Sequence, residues 1–277
     1  TQMQPPGVDK NGELKRIGRK WKTWRTVPYC SLSVTQFESS TKQLGFPKPQ
    51  ALNYAYHIDA ARYAKYLRIL AEQNGVHRVE GKVEAVKQAR SGDIESAQRA
   101  SGQSISGDLF IDCSGFTGLL IDKTLHSPFE DWSQWLPCDR AVAVQTSSTE
   151  PPIPYTRSIA RDFGWQWRIP LQSRTGNGLV FSSQHASDDE ATHTLLSNVS
   201  GDVLIEPRVI PFQTGQRSAQ WKNNCIALGL AAGFLEPLES TSIHLIQRGI
   251  IRLMQMFPYG GVTQADQDEF NAQMNQE

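Results

Sequence analysis

The chain has 277 residues, its 28 basic and 28 acidic side chains cancel, and 39% of its residues are apolar. That length suits one large domain or two modest ones, and the neutral balance gives no electrostatic reason to expect nucleic acid or an anionic membrane surface as a partner. No apolar run reaches the roughly 18 to 20 residues of a spanning helix, and the first residues lack the charged-then-apolar pattern of a secretory signal.

The first 50 residues are polar, basic and rich in Pro and Gly. Within them "KRIGRKWKTWR" interleaves Lys and Arg with Trp21 and Trp24. With no second basic cluster, it reads as a solvated segment carrying two packed tryptophans rather than as a nucleic-acid patch. From Asn53 the pattern sharpens. Asp59 is a good N-cap, Tyr63, Leu67 and Leu70 follow at helical spacing, and Gly75 stops the helix. Val76, Val79, Val83 and Val86 then suggest β-structure bent near Gly81. Two more strands joined by a polar turn follow, and a strand over Leu109–Ile111 runs into Asp112-Cys113-Ser114-Gly115. This order is that of an insert inside a doubly wound nucleotide-binding fold.

Between Arg140 and Asn224 the segments "AVAVQT", "WQWRIPL", "GLVFSS" and "RVIPFQTG" are short strand candidates punctuated by Pro and Gly, which implies a mainly antiparallel sheet. "NCIALGLA" is a strand returning to the first domain. The helix after it carries Ile243, Ile246, Ile250, Leu253 and Phe257 on one stripe and stops at Gly260 and Gly261, and a last helix starts near Thr263. Cys30, Cys113, Cys138 and Cys225 lie far apart and form no CxxC pair, so no metal centre is expected. Isolated thiols of this kind fit a reducing, cytoplasmic setting.

Two stretches carry chemistry. "LGLAAGFLEPLESTSIHLIQR" places small residues, two acids around a proline and three hydroxyl residues at a strand-to-helix junction. A helix N-terminus presents unpaired amides and the positive end of the dipole, so an anion binds there without a charged side chain. Glu239 taken alone fits a first-turn carboxylate that complements the dipole. In "WQWRIP", Trp165 and Trp167 alternate and share one face of a strand, either as core tryptophans or as an aromatic wall for a planar ligand.

"NYAYHIDAARYAKYLR", "DLFIDCSGFTGLLI", "LPCDRAVAVQ", "WQWRIP" and "GLAAGFLEPLESTSIHLIQR", in this order, resemble successive segments of the flavin-dependent tryptophan halogenases, from about Asn53 to Glu277. "WQWRIP" matches that family's WxWxIP signature in full. The resemblance implies an α/β (α+β) protein: a doubly wound FAD-binding domain of the flavin monooxygenase type, incomplete in this chain, with an antiparallel substrate subdomain. Residues 51–139 and 225–277 are assigned to the flavin domain and 140–224 to the substrate part.

The resemblance also implies a reaction in which reduced FAD, supplied by a separate flavin reductase, O2 and chloride or bromide halogenate an electron-rich aromatic such as tryptophan or an indole. By resemblance Glu239 is catalytic, the amides of Thr241 and Ser242 hold the halide, and Leu230 and Ile243 touch the flavin. Trp165, Trp167, Ile169 and Pro170 form the strand that keeps substrate from the flavin. A homodimer is left open.

Two features depart from the family. No GxGxxG phosphate loop occurs in the sequence, and neither Lys15 nor Lys20 has the spacing of the family's catalytic lysine. The chain is therefore expected to be an internal, inactive piece of a halogenase that binds FAD weakly. A related FAD-dependent monooxygenase and a non-enzymatic remnant are the alternatives.

Overall fold

The computed structural model describes residues 56–153 and 155–277; the Trp21 and Trp24 segment and Cys30 lie outside them. Helix α1 (Ala60–Gln73) starts where expected. The Asp59 side chain accepts from Arg62 N at 3.2 Å, and Asn74 and Gly75, the latter with φ 91°, end the helix. No residue of α1 is buried, however, so its apolar stripe of Leu67 and Leu70 stays 41% and 43% exposed. Asp59 also pairs with Arg174 at 3.0 Å, which docks the start of α1 on the turn beyond the WQWRIP strand.

Strands β1 (Val83–Gln88), β2 (Ile94–Arg99) and β3 (Ser104–Ser106) form an antiparallel meander. Val76 and Val79 are not part of it. Both are largely exposed in an irregular stretch, and pairing begins only beyond Gly81, whose φ of 152° bends the chain. The next strand, β4, is Phe110–Asp112. The meander is stitched beside β4 by one side chain. Asn224 Oδ1 accepts from Ile94 N at 2.8 Å, and its Nδ2 donates to Ile94 O at 2.9 Å, the two bonds that a paired strand residue would make.

A small sheet of β5 (Phe129–Asp131), β11 (Gly215–Arg217) and β14 (Gly233–Phe234) joins distant parts of the chain. The antiparallel layer is a five-stranded sheet in the order β10-β6-β9-β8-β7, built from β6 (Arg140–Thr146), β7 (Arg157–Arg161), β8 (Gly164–Pro170), β9 (Thr175–Phe181) and β10 (Arg208–Pro211). A helix absent from the sequence reading, α2 (Asp188–Ser197), covers one face. Its capping box pairs Ser187 with Glu190, and Ala191 and Leu195 pack on Val142, Val144, Leu179 and Phe181.

Strand β13 (Cys225–Ala227) returns to β4 as expected and pairs with it in parallel, Ile226 opposite Ile111, with β12 (Trp221–Lys222) antiparallel on its other side. Helices α3 (Ser242–Gln255) and α4 (Gln264–Met274) close over this sheet through Trp221, Ile226, Leu228, Leu253, Phe270 and Met274. The expected stripe of α3 is only partly inward. Leu253 is buried, whereas Ile243, Ile250 and Phe257 are exposed. The inward line runs through Gly249, where a Cβ would come within 2.6 Å of Leu228 Cδ2, so the Leu228 side chain packs directly on the helix backbone. Among the described residues no helix is long and apolar enough to cross a membrane.

Candidate functional site

Strands β4 and β13 run in the same direction and end together, the place where open α/β sheets bind ligands. Asp112 shapes this edge. It is buried, and it accepts from Ser114 N at 2.9 Å through Oδ1 and from Leu120 N and Ile121 N at 2.7 and 2.9 Å through Oδ2. These bonds fold the Cys113–Ile121 loop back over the strand end. Burial, reinforced by the Asp112 charge, raises the Cys113 thiol above its ordinary range, and the same two causes push Cys225 up to about 12. Single 3₁₀ turns follow the strands, Gly115–Thr117 and Gly229–Ala231, the second entered through Gly229 at φ 64°. They lie beside each other and present exposed Phe116 and Leu230.

The chain then passes β14 and reaches the 3₁₀ turn Pro237–Glu239. Ser240 caps the turn in the left-handed region at φ 58°, its N–H donating to Pro237 O at 3.1 Å, and Thr241 is the N-cap position of α3. Thr241 supplies no side-chain cap, and its Oγ1 is buried without a hydrogen-bond partner. The mouth of α3 therefore combines first-turn amides, the positive dipole end and an orphaned hydroxyl, a donor set that fits a small anion. Ser242 is the first residue of α3, and exposed Ile243 follows in the same turn.

On β8 the two tryptophans stand on one face, ring centroids 6.0 Å apart, outside every buried core cluster. Gln166 points the opposite way, fully buried, and accepts from Arg161 Nη2 at 2.6 Å. The Trp167 ring lies across Gly178 of β9, where any Cβ would overlap its Cζ2. Trp165 Nε1 donates to Glu236 Oε2 at 2.9 Å. The Cys138 thiol is pushed up to about 12 by burial first and then by the Glu236 carboxylate. Pro170 is buried, its carbonyl accepting from His57 Nδ1 at 3.1 Å, while Ile169 is half-buried. Burial holds His57 below its ordinary value of 6.5, against the opposing pull of the Pro170 bond.

The sequence-predicted residues thus fall on adjoining pieces: Leu230 on the turn after β13, Glu239, Thr241, Ser242 and Ile243 at the helix mouth, and the tryptophans on β8. Glu236, Asp112 and His57 were not among them. Glu236 shares the acid-proline-acid signal that drew attention to Glu239, but its partner lies 71 residues away.

A family model described as tryptophan halogenase matches residues 23–277. The chain belongs to that family. The tryptophan 7-halogenase RebH from Lentzea aerocolonigenes is 41% identical over 211 residues, 74% of this chain and 40% of its own length. A flavin-dependent halogenase from Xanthomonas campestris superposes with a TM-score of 0.81 at 49% identity, covering 86% of this chain and 49% of that one. The flavin-dependent halogenase BrvH from a Brevundimonas species gives a TM-score of 0.79 at 47% identity, covering 83% and 48%. The family fold is therefore the FAD-binding α/β fold with an antiparallel layer, and the chain spans less than half the length of these relatives.

The described residues fit one end of such a cofactor. Phe116, Leu230 and Ile243 are exposed apolar side chains on neighbouring elements at the carboxyl edge of the parallel pair, suited to an apolar ring system. No glycine-rich phosphate loop occurs among the described residues. Nor do three or more His, Cys, Asp or Glu side chains among them gather where they could hold a metal ion.

Proposed function

We propose that this chain is part of a flavin-dependent halogenase that halogenates an electron-rich aromatic such as tryptophan or an indole. The observation that carries this is the α3 mouth, where an uncapped helix start and the orphaned Thr241 hydroxyl follow directly on the turn that bears Glu239. The amides of Thr241 and Ser242 hold chloride or bromide, which needs donors rather than a countercharge. Glu239 takes the proton released when the ring carbon is substituted. Leu230 and Ile243 pack on FAD, which, once reduced by a separate flavin reductase, supplies with O2 the oxidising equivalent that activates the halide. Trp165 and Trp167, braced by Ile169 and Pro170, wall the aromatic substrate from the flavin. The free thiols Cys113, Cys138 and Cys225 support a cytoplasmic setting.

The test is mass spectrometry of tryptophan and indole incubated with reduced FAD, O2 and either halide, with the polypeptide extended to the length of its relatives. Product mass that follows the halide supplied is expected. An oxygenated product that ignores the halide would establish the monooxygenase instead.

A further inference from the structure

Glu236 lies two residues beyond β14 and three before Glu239. Its carbonyl accepts from Leu238 N at 2.9 Å and so shapes the Pro237 turn. Its carboxylate reaches away from the turn to the antiparallel layer. There it takes the Trp165 indole N–H at 2.9 Å, and it faces the Cys138 thiol, which precedes β6 and which its charge helps to hold protonated. The turn after β14 and two stretches of the antiparallel layer meet at this one group. A carboxylate only accepts and both partners only need an acceptor, so the donor and acceptor count closes. Hydrogen bonds to an ionised acceptor are also the stronger kind.

The turn needs such a tie. Its own bonds, Leu238 N to Glu236 O and Ser240 N to Pro237 O, are internal to it, Leu238 is half exposed, and Ser240 occupies the left-handed region without being glycine. Among the described side chains from 236 to 240, Glu236 alone is hydrogen-bonded to the sheet.

We propose that Glu236 is a positioning residue: by pinning Trp165, its carboxylate fixes the turn that carries Glu239 and the α3 mouth at one place against the WQWRIP strand. The proposal rests on reading that mouth as the halide site.

Three variants of the 277-residue chain test it: Glu236→Gln, which keeps an acceptor oxygen, Glu236→Leu, which keeps none, and Trp165→Phe, which assigns the Trp165 indole signal. The indole N–H resonance of Trp165 is read by ¹⁵N-correlated NMR, Cys138 by the pH profile of its alkylation in peptide maps, and bromide binding by ⁸¹Br line broadening. With Glu236→Leu the indole resonance moves toward that of a free indole, Cys138 alkylates at lower pH, and bromide binds about tenfold more weakly, the change expected when one charge-assisted bond is lost. Glu236→Gln keeps the indole bond and restores most of the bromide affinity, a rescue that a mere need for charge would not produce.

Unmoved indole and thiol signals in a folded Glu236→Leu chain overturn the pin. Moved signals with bromide affinity equal to that of the parent overturn its positioning role. Moved signals in a series where even the parent broadens no bromide support the pin and overturn the halide reading, so the two failures are separable. If the Leu variant does not fold, the Gln and Phe variants decide: unchanged bromide affinity in Trp165→Phe overturns the proposal.

Discussion

His57 is a titratable side chain held in a place that favours its neutral form. Burial depresses its pKa below 6.5 while its Nδ1–H serves Pro170 O and its Nε2 sits 3.3 Å from Thr156 Oγ1. The sign follows from linkage. The unfolded chain binds the proton more readily than the folded one, so His57 leaves stability intact above about pH 6.5 and lowers it as the pH falls through and below that value. Melting temperatures are therefore expected to drop between pH 7.5 and 5.5, and His57→Gln, which cannot take up the proton, should flatten that drop. An equal drop in both would assign the pH dependence to other groups. At this scale the motif residues were legible because each stands in a short local pattern, as Trp165 and Trp167 do in WQWRIP. Asp112 was not. Its sequence context marks a strand end, but the three amides it accepts come from residues two to nine positions further on, and only the folded loop brings them to one carboxylate.

Among the elements, β8 and β9 set the aromatic face. Trp167 stands opposite Gly178 in the register, and its ring occupies the space that a Cβ would take. Gly178→Ala should displace the indole and cost about 1 to 3 kcal/mol, as overpacking of a filled site does. Urea denaturation measures the loss, and near-ultraviolet circular dichroism reports the moved tryptophan. Unchanged values for both would mean that the strands part without strain.

The same pair of strands was readable as β from the Trp165 and Trp167 alternation and from short runs punctuated by Pro and Gly, whereas α2 escaped because a ten-residue helix inward only at Ala191 and Leu195 has almost no stripe. Its Ser187–Glu190 capping box was the one signal present. The β5–β11–β14 sheet escaped for another reason. Its strands are two or three residues long, too short for any period, and β5 pairs with β11 across more than 80 positions. The opposite error, strand structure at Val76 and Val79, came from spacing without partners: valine recurrence cannot supply a neighbouring ladder.

Over the whole molecule the apolar surface is unevenly closed. The β6–β9 face lies under α2 and the β12–β13 face under α3 and α4, yet the outer side of α3 carries Ile250, Ile251 and Met254 in the open, with Met254 68% exposed, and Phe257 and the 91% exposed Tyr259 follow just beyond the helix. Sequence periodicity located that helix, which ends at Gln255 rather than at Gly260, but periodicity gives only its apolar side and says nothing of what lies against it. Scattered apolar residues are ordinary on a surface, whereas three on one helix side with Phe257 just past its end make the kind of patch that soluble monomers keep small. These relatives are more than twice as long as the share of them that this chain matches, so the patch belongs to a chain that spans only part of the family's length.

The 277-residue chain is accordingly expected to bind a hydrophobic fluorophore while folded and to sediment as larger species as its concentration rises. The double variant Ile250→Lys, Met254→Glu places two charges on the same side without touching Leu253 or Gly249, which face inward. It should reduce both signals while leaving the melting temperature near that of the parent, since exposed substitutions away from caps and cores usually change stability by no more than about 0.5 kcal/mol. If the parent binds no fluorophore and stays monomeric at every concentration, α3 is covered in solution. If the double variant loses its fold, those side chains are packed against something that the exposed positions do not show.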